Sequence, residues 1–276
     1  MGTLYVVATP IGNLQDMSPR AIETLRSVSL IAAEDTRHTA ILLRAFDIQT
    51  PTLSYHQHNE RAREERLLAA LESGDVALVS DAGTPAIADP GNALVAAVRA
   101  AGHRVVPIAG PSAVAAAVSA SGLVPGPYLF LGFVDRQGDG RRTQLGKAAA
   151  TGYPVVLFES PVRLAETLAT LREVFGEREA VVARELTKMH EEIAGGSLSS
   201  LVERFAGEAA RGEIVIVIGG EESAVALDMD PERVVRALLA QGMKPSRAAR
   251  EAAAITGLSG ADADELVRRI ASEQRA

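Results

Sequence analysis

The sequence predicts an α/β protein: two α/β domains in tandem, followed by a small helical tail. Three observations carry this expectation. Short β-branched runs alternate with helix-like stretches through the first half. A Pro/Gly-rich link, GLVPGPY at 122–128, separates that half from a second strand-rich series. Beyond about residue 230 the chain turns Ala- and Arg-rich with helical spacing. The expected division is 1–121, 122–224 and 229–276, and 276 residues suffice for two cores and an appendage.

In the first half LYVVA (4–8), SLIAAE (29–34), VALVS (76–80) and RVVPIA (104–109) read as strands. Residues 18–27, 60–73 and 92–101 read as helices between them, with Ser18 as a cap and Pro19 at the first helical position. Such alternation implies a mostly parallel sheet. The second series is YLFLGF (128–133), PVVLFES (154–160), EAVVARE (179–185), HEEIAGG (190–196) and EIVIVIGG (213–220). Only one helix fits between the last pair, which implies a mixed sheet. The tail reads as three short helices, with Pro245 in a first turn and breaks at Gly242 and Gly257.

Composition narrows the function. Apolar content of 47% and charged content of 23% are those of a soluble globular protein. No apolar run approaches about 18 residues, so no membrane span is expected. The opening MGTLYVVATP lacks the basic and apolar regions of a secretory signal, and the expected location is the cytoplasm. With no cysteine there is neither a disulfide nor a thiolate metal site. The net charge of −7 disfavours a broad nucleic-acid surface. Residues 230–276 hold eight Lys/Arg and seven Asp/Glu, leaving −8 on the rest, so any basic surface must be local.

Four signals fall where strands end: ATPIGNL (8–14), SDAGTPAIADPG (80–91) and AGPSA (109–113), which carry Gly and Pro, and AAEDTRHT (32–39), which carries charge instead. Parallel sheets place ligands at the carboxyl ends of their strands. Glycine permits positive φ and close backbone approach, and proline fixes φ, as a ligand gripped by main-chain groups requires. Tight βα turns use the same residues for purely structural reasons, but four together favour a binding site. No GxGxxG follows the first strand and no GxxxxGK[ST] occurs, which argues against a dinucleotide or triphosphate. Asp81 and Asp89 would repel phosphate and suit a cation. A ligand with an ammonium and a sulfonium, such as S-adenosylmethionine (SAM), fits such loops, although composition alone does not select it.

TPIGNL, AAEDTRHT, VSDAGTP with I-x-DPG, GPSA, FESPVRL and ARELTKMHEE occur in this order. Together they resemble the ribosomal RNA small-subunit methyltransferase I family, SAM-dependent 16S rRNA 2′-O-ribose cytidine methylases within the tetrapyrrole-methylase-like superfamily. The match runs from about residue 3 to 220 and is less distinct in the tail. In tetrapyrrole-modifying relatives the first loop is typically GxGPGD; TPIGNL favours the RNA branch. The resemblance implies two α/β domains of the tetrapyrrole-methylase type with the cofactor in the interdomain cleft, 16S rRNA in the small ribosomal subunit as partner, and a homodimer. It implies that Ile11, Asp81, Ala82, Gly83, Ile87, Ser112 and Ala113 line the cofactor from the first domain, with Glu159 and Leu186 from the second. It calls for no protein-held metal.

Candidate catalytic groups are Glu34, Asp35 and Lys188. Asp35 aligns with the acidic residue assigned proton acceptance in tetrapyrrole relatives; its plain structural role would be a helix N-cap. Lys188 could hold a phosphate or lower the pKa of the 2′-hydroxyl, or form an ion pair worth little. Arg37 could bind phosphate, or pair with an acid on the surface. In DRQGDGRRTQLGK (135–147), Arg136, Arg141, Arg142 and Lys147 suggest a flexible basic loop along an RNA backbone, or else a solvated loop and helix start. Aromatics are 4% of the chain, so base stacking is confined to Tyr55, Phe133 or Tyr153. Lys244, Arg247 and Arg250 could give the tail a helix-turn-helix-like basic face; its Ala-rich faces could equally pack on the body. A tetrapyrrole C-methyltransferase and a non-catalytic SAM- or RNA-binding protein are the competing readings.

Overall fold

A computed structural model describes residues 2–136, 138–207, 212–221, 231–240 and 243–273. The first sheet contains β1 (Thr3–Val7), β2 (Leu30–Ala33), β3 (Thr52–Ser54), β4 (Val76–Val79) and β5 (Arg104–Ile108), in the order β3-β2-β4-β1-β5. Every pairing in it is parallel. All four residues of VALV in β4 are buried, because helices cover both faces of a parallel sheet. Those helices are α1 (Pro19–Ser27), α2 (Thr36–Ala45), α3 (Glu60–Ser73) and α4 (Asn92–Ala100). Ser18 caps α1 by accepting from Ala21 N, with Pro19 in the first turn as its sequence predicts. The three-residue β3 is an addition that the sequence pattern did not single out; α2 is the helix that a capping Asp35 implies.

The second sheet holds β6 (Leu129–Phe133), β7 (Val155–Glu159), β8 (Glu179–Arg184), β9 (Glu192–Ser197) and β10 (Ile214–Ile218), ordered β6-β7-β10-β8-β9. It is mixed, as expected: β6 and β7 run parallel, and the other pairings are antiparallel. Between these strands lie α6 (Asp139–Ala149), α7 (Leu164–Phe175) and α8 (Leu198–Arg204). The segment 135–147 is therefore mostly helix, not a loop. Helix α5 (Ala113–Ser121) precedes the 122–128 link, yet its Val114 and Ala117 share a core with Val181, Val215 and Val217 of the second sheet. Ile11, from the loop after β1, joins that core and ties the two sheets together.

The tail forms α9 (Pro231–Ala240), α10 (Pro245–Thr256) and α11 (Gly260–Glu273) around a core of its own, including Val234, Val235, Ala248, Ala252, Val267 and Ile270. Gly257 ends α10 at φ 72°. The expected break at Gly242 and the boundaries at 224 and 229 lie outside the described residues. Among the described residues no helix is long and apolar enough to cross a membrane.

Candidate active site

The loops that follow β1, β2, β4 and β5 gather at one end of the first sheet. Thr9 and Gly83 exchange backbone bonds, Thr9 N to Gly83 O at 2.9 Å and Gly83 N to Thr9 O at 3.1 Å. Gly83 sits at φ 78°, and a Cβ there would lie 3.4 Å from Ile11 Cγ2. Ala86 and Ala88, at φ 67° and 64°, hold left-handed backbone without being glycine. Strain of this kind clusters where a ligand must be gripped.

Carboxylates tie the β2 and β4 loops reciprocally. Asp35 N donates to Asp81 Oδ1 at 3.0 Å, and Asp81 N donates to Glu34 Oε2 at 3.3 Å. Burial pushes the Glu34 carboxyl up; the Asp81 N–H bond opposes this in part, and the Asp81 and Asp35 charges add to it. Asp35 is in a different state. It caps α2 by accepting from Arg37 N at 2.8 Å and pairs with the Arg37 guanidinium at 2.7 Å. That guanidinium holds its carboxyl well below the usual carboxylate range. The capping role foreseen for Asp35 is thus present, and the phosphate-binding candidate Arg37 is the group paired with it.

From the second sheet come the end of β7 and the loop after β8. In that loop Glu185 and Thr187 have φ 50° and 66°. A Cβ on Gly12 would collide with Lys188 Cγ and come within 3.0 Å of Leu186 O, so only glycine lets the two loops approach this closely. Lys188 Nζ donates to Glu185 at 2.7 Å and Glu213 at 3.2 Å. Burial works against the Lys188 cation, but these bonds outweigh it and raise its pKa.

Between the two sheets lies a cavity of about 410 Å³. Ile11, Asp81, Ala82, Gly83, Ile87, Ser112 and Ala113 line it from one side, Glu159 and Leu186 from the other. Asp89, read from the sequence with Asp81 as a carboxylate suited to a cationic ligand, also lines it. Sequence reasoning did not place Phe133, Phe158 and Glu213 there; they lie at strand ends that only the assembled sheet brings together. Burial, then the charge of Glu34, pushes Asp89 up to about 6, with Ser80 hydrogen bonding in opposition. A second cavity of about 430 Å³ shares Ile11, Asp81, Ala82 and Glu213 with the first and adds Gly12, His38 and Lys188.

The four cations of 135–147 separate. Arg141 is only 3% exposed, donating to Glu166 at 3.0 Å and to Thr167 Oγ1 at 2.6 Å. A side chain so enclosed cannot meet RNA, and the expectation for Arg141 is corrected: it is a packing residue of α6. Arg142 is exposed and pairs with Glu173; Lys147 and Arg136 are exposed. Glu159 is buried and accepts from Ser160 N, Thr167 Oγ1 and Arg163, so its carboxylate is engaged by the protein itself.

Two α/β sheets meeting over a cavity at their strand ends define a methylase of the tetrapyrrole (corrin/porphyrin) type, and the model of that family matches residues 3–202. Solved structures carry the same fold. The methyltransferase CobJ aligns with a TM-score of 0.61 at 20% identity over 80% of this chain and 95% of its own. Cobalt precorrin-4 methyltransferase CbiF aligns at 0.60 and 17% identity over 79% and 94%. The chain belongs to the ribosomal RNA small subunit methyltransferase I family. It is 46% identical over 263 residues to the member from Synechocystis sp., covering 94% of each chain. To the member from Xylella fastidiosa it is 48% identical over 260 residues, covering 93% of this chain and 95% of the relative.

Proposed function

We propose that the protein methylates the 2′-oxygen of a cytidine ribose in 16S rRNA of the small ribosomal subunit, using SAM, in the cytoplasm. The observation that carries this reading is the cavity between the sheets, walled by backbone and by Glu34, Asp81, Asp89 and Glu213. Its residues fit SAM: the carboxylates would meet its ammonium and sulfonium, and Ile11, Val114, Val215 and Phe158 would offer apolar surface to its purine ring. Bound SAM supplies an activated methyl group.

The second cavity, opening beside the first, receives the acceptor ribose. Its Lys188, kept cationic by Glu185 and Glu213, faces the ribose–phosphate backbone. Holding the 2′-oxygen at attack distance supplies much of the acceleration. Glu34, in the first cavity but bonded to Asp81 where the two cavities join, takes the hydroxyl proton there, because its raised pKa makes it a better base than Asp35, which is held ionised by Arg37. A methyl-transfer assay offering naked 16S rRNA, assembled small subunits and uroporphyrinogen tests the reading. Methylation of either RNA substrate is expected, and transfer to uroporphyrinogen alone would replace it with tetrapyrrole chemistry.

Two predictions concern the cofactor. Gly83→Val forces a β-branched residue into a φ of 78° against Ile11. Titration calorimetry should show SAM affinity falling at least about tenfold, roughly 1.4 kcal/mol. Unchanged affinity in a folded variant would remove Gly83 from the site.

The second is a pH dependence. Asp89 titrates from 3.8 unfolded to about 6 folded, so the folded protein binds the extra proton between these values. Its contribution to stability is therefore present below 3.8 and lost as pH rises through about 6. A cation beside Asp89 favours the ionised form, so SAM affinity should climb as pH rises through about 6. Asp89→Asn should flatten that rise; an equally steep rise in the variant would assign it elsewhere.

A further inference from the structure

We propose that Phe133 and Arg136 form a docking site for an RNA nucleotide flanking the acceptor, the base stacking on Phe133 and its phosphate meeting Arg136. The inference rests on the RNA reading above and assigns that substrate a contact at the rim of the first cavity, extending into the hollow beside it.

The geometry begins with a β-bulge. Phe130 pairs with Val156 and Phe133 with Phe158, so three steps on β6 oppose two on β7. The extra residue is accommodated at Gly132, whose φ is 63°. Bulges re-aim side chains, and this one leaves the Phe133 ring 58% exposed at the mouth of the cleft. The ring is not loose: it lies 5.4 Å from the Phe158 ring, which in turn meets Phe130 edge-on at 5.1 Å. An aromatic stack thus rises from the core and ends on an open face. Of the three aromatics open to base stacking on sequence grounds, Tyr55 is buried, and Phe133 is the one lining the cleft.

Phe133 also lines a neighbouring hollow with Arg136, Val162 and Arg163, and both Phe133 and Ser160 are shared with the interdomain cavity. Val162, 88% exposed, widens the apolar face beside the ring. The two cations differ in availability. Arg163 is bound at 2.6 Å to buried Glu159, whereas exposed Arg136 forms no ion pair among the described residues. An open aromatic face beside an available cation, continuous with the cleft, matches the stacking-plus-phosphate chemistry of single-stranded nucleic acid.

The test is steady-state methylation of small ribosomal subunits by wild type, Phe133→Ala, Phe133→Trp and Arg136→Ala, with SAM affinity by calorimetry. Phe133→Ala should raise KM for the subunit about tenfold, the loss of one base–aromatic stack, with SAM affinity falling by much less because the exposed ring stands at the edge of the cofactor cavity. Phe133→Trp should restore KM, which a merely structural ring would not do. Arg136→Ala should raise KM and flatten its salt dependence by roughly 0.7–0.9 log–log units. Three results would overturn the proposal: unchanged KM in Phe133→Ala, weakened SAM binding with KM intact, or a change in oligomeric state by sedimentation that accounts for the loss. If wild type methylates no RNA at all, the RNA reading itself fails, and this is distinguishable because no variant is then needed.

Discussion

Glu34→Gln is expected to lower single-turnover methyl transfer by about 10²-fold or more, the usual contribution of a positioned base. Glutamine keeps the acceptor that Asp81 N requires but cannot take a proton. SAM affinity should change far less than the rate, since Asp81, Asp89 and Glu213 still face the ligand. In wild type, the rate should rise with pH as Glu34 ionises, over a range above the usual carboxylate values because burial raises its pKa. Asp35→Asn provides the contrast. Asparagine caps a helix about as well as aspartate, and Asp35 is already committed to Arg37, so the rate should barely move. If Asp35→Asn collapses the rate while Glu34→Gln does not, the base is Asp35 and its bond to Arg37 must open during turnover.

Arg141→Ala should destabilise the second domain by roughly 2–4 kcal/mol, as removing one partner from a buried charged network does. Its guanidinium joins Glu166 to Thr167, whose hydroxyl donates to buried Glu159. Without it, Thr167 loses a donor and the Glu159 charge sits in a less compensated environment. Arg142→Ala, one residue along, breaks only an exposed pair with Glu173 and should stay within about 0.5 kcal/mol. Chemical denaturation of both variants checks this. An Arg141→Ala protein of wild-type stability that binds RNA poorly would return Arg141 to the surface role its sequence neighbourhood suggests.

Arg141 shows where sequence reasoning stops. With Gly138, Gly140 and Gly146 around it the segment reads as a loop, and nothing nearby reveals partners 25 and 26 residues on. The strands were legible because apolar β-branched runs have few alternatives, three of the loops because Gly and Pro punctuate them, and the fourth because AAEDTRHT packs charge at the end of an apolar run. Helix α5 was hidden for a different reason: AVAAAVSAS is apolar on nearly every side, so its sequence carries no face to predict. Asp35 was legible as a cap and Arg37 as the partner of a surface acid, but not that the two pair with each other, since one Asp two residues before an Arg can take either role alone. The aromatic stack from Phe130 to Phe133 needed the bulge at Gly132, which alternation alone does not disclose.

The central claim concerns where the methyl group goes, and nucleoside analysis addresses it most directly. Small ribosomal subunits lacking the modification are incubated with the protein and SAM labelled in its methyl group, and the 16S rRNA is then digested to nucleosides and separated. The label should appear in 2′-O-methylcytidine and accumulate about 10²-fold more slowly when Glu34 is replaced by Gln. Label on a base carbon or ring nitrogen, on a nucleoside other than cytidine, or only on an added tetrapyrrole would contradict the account.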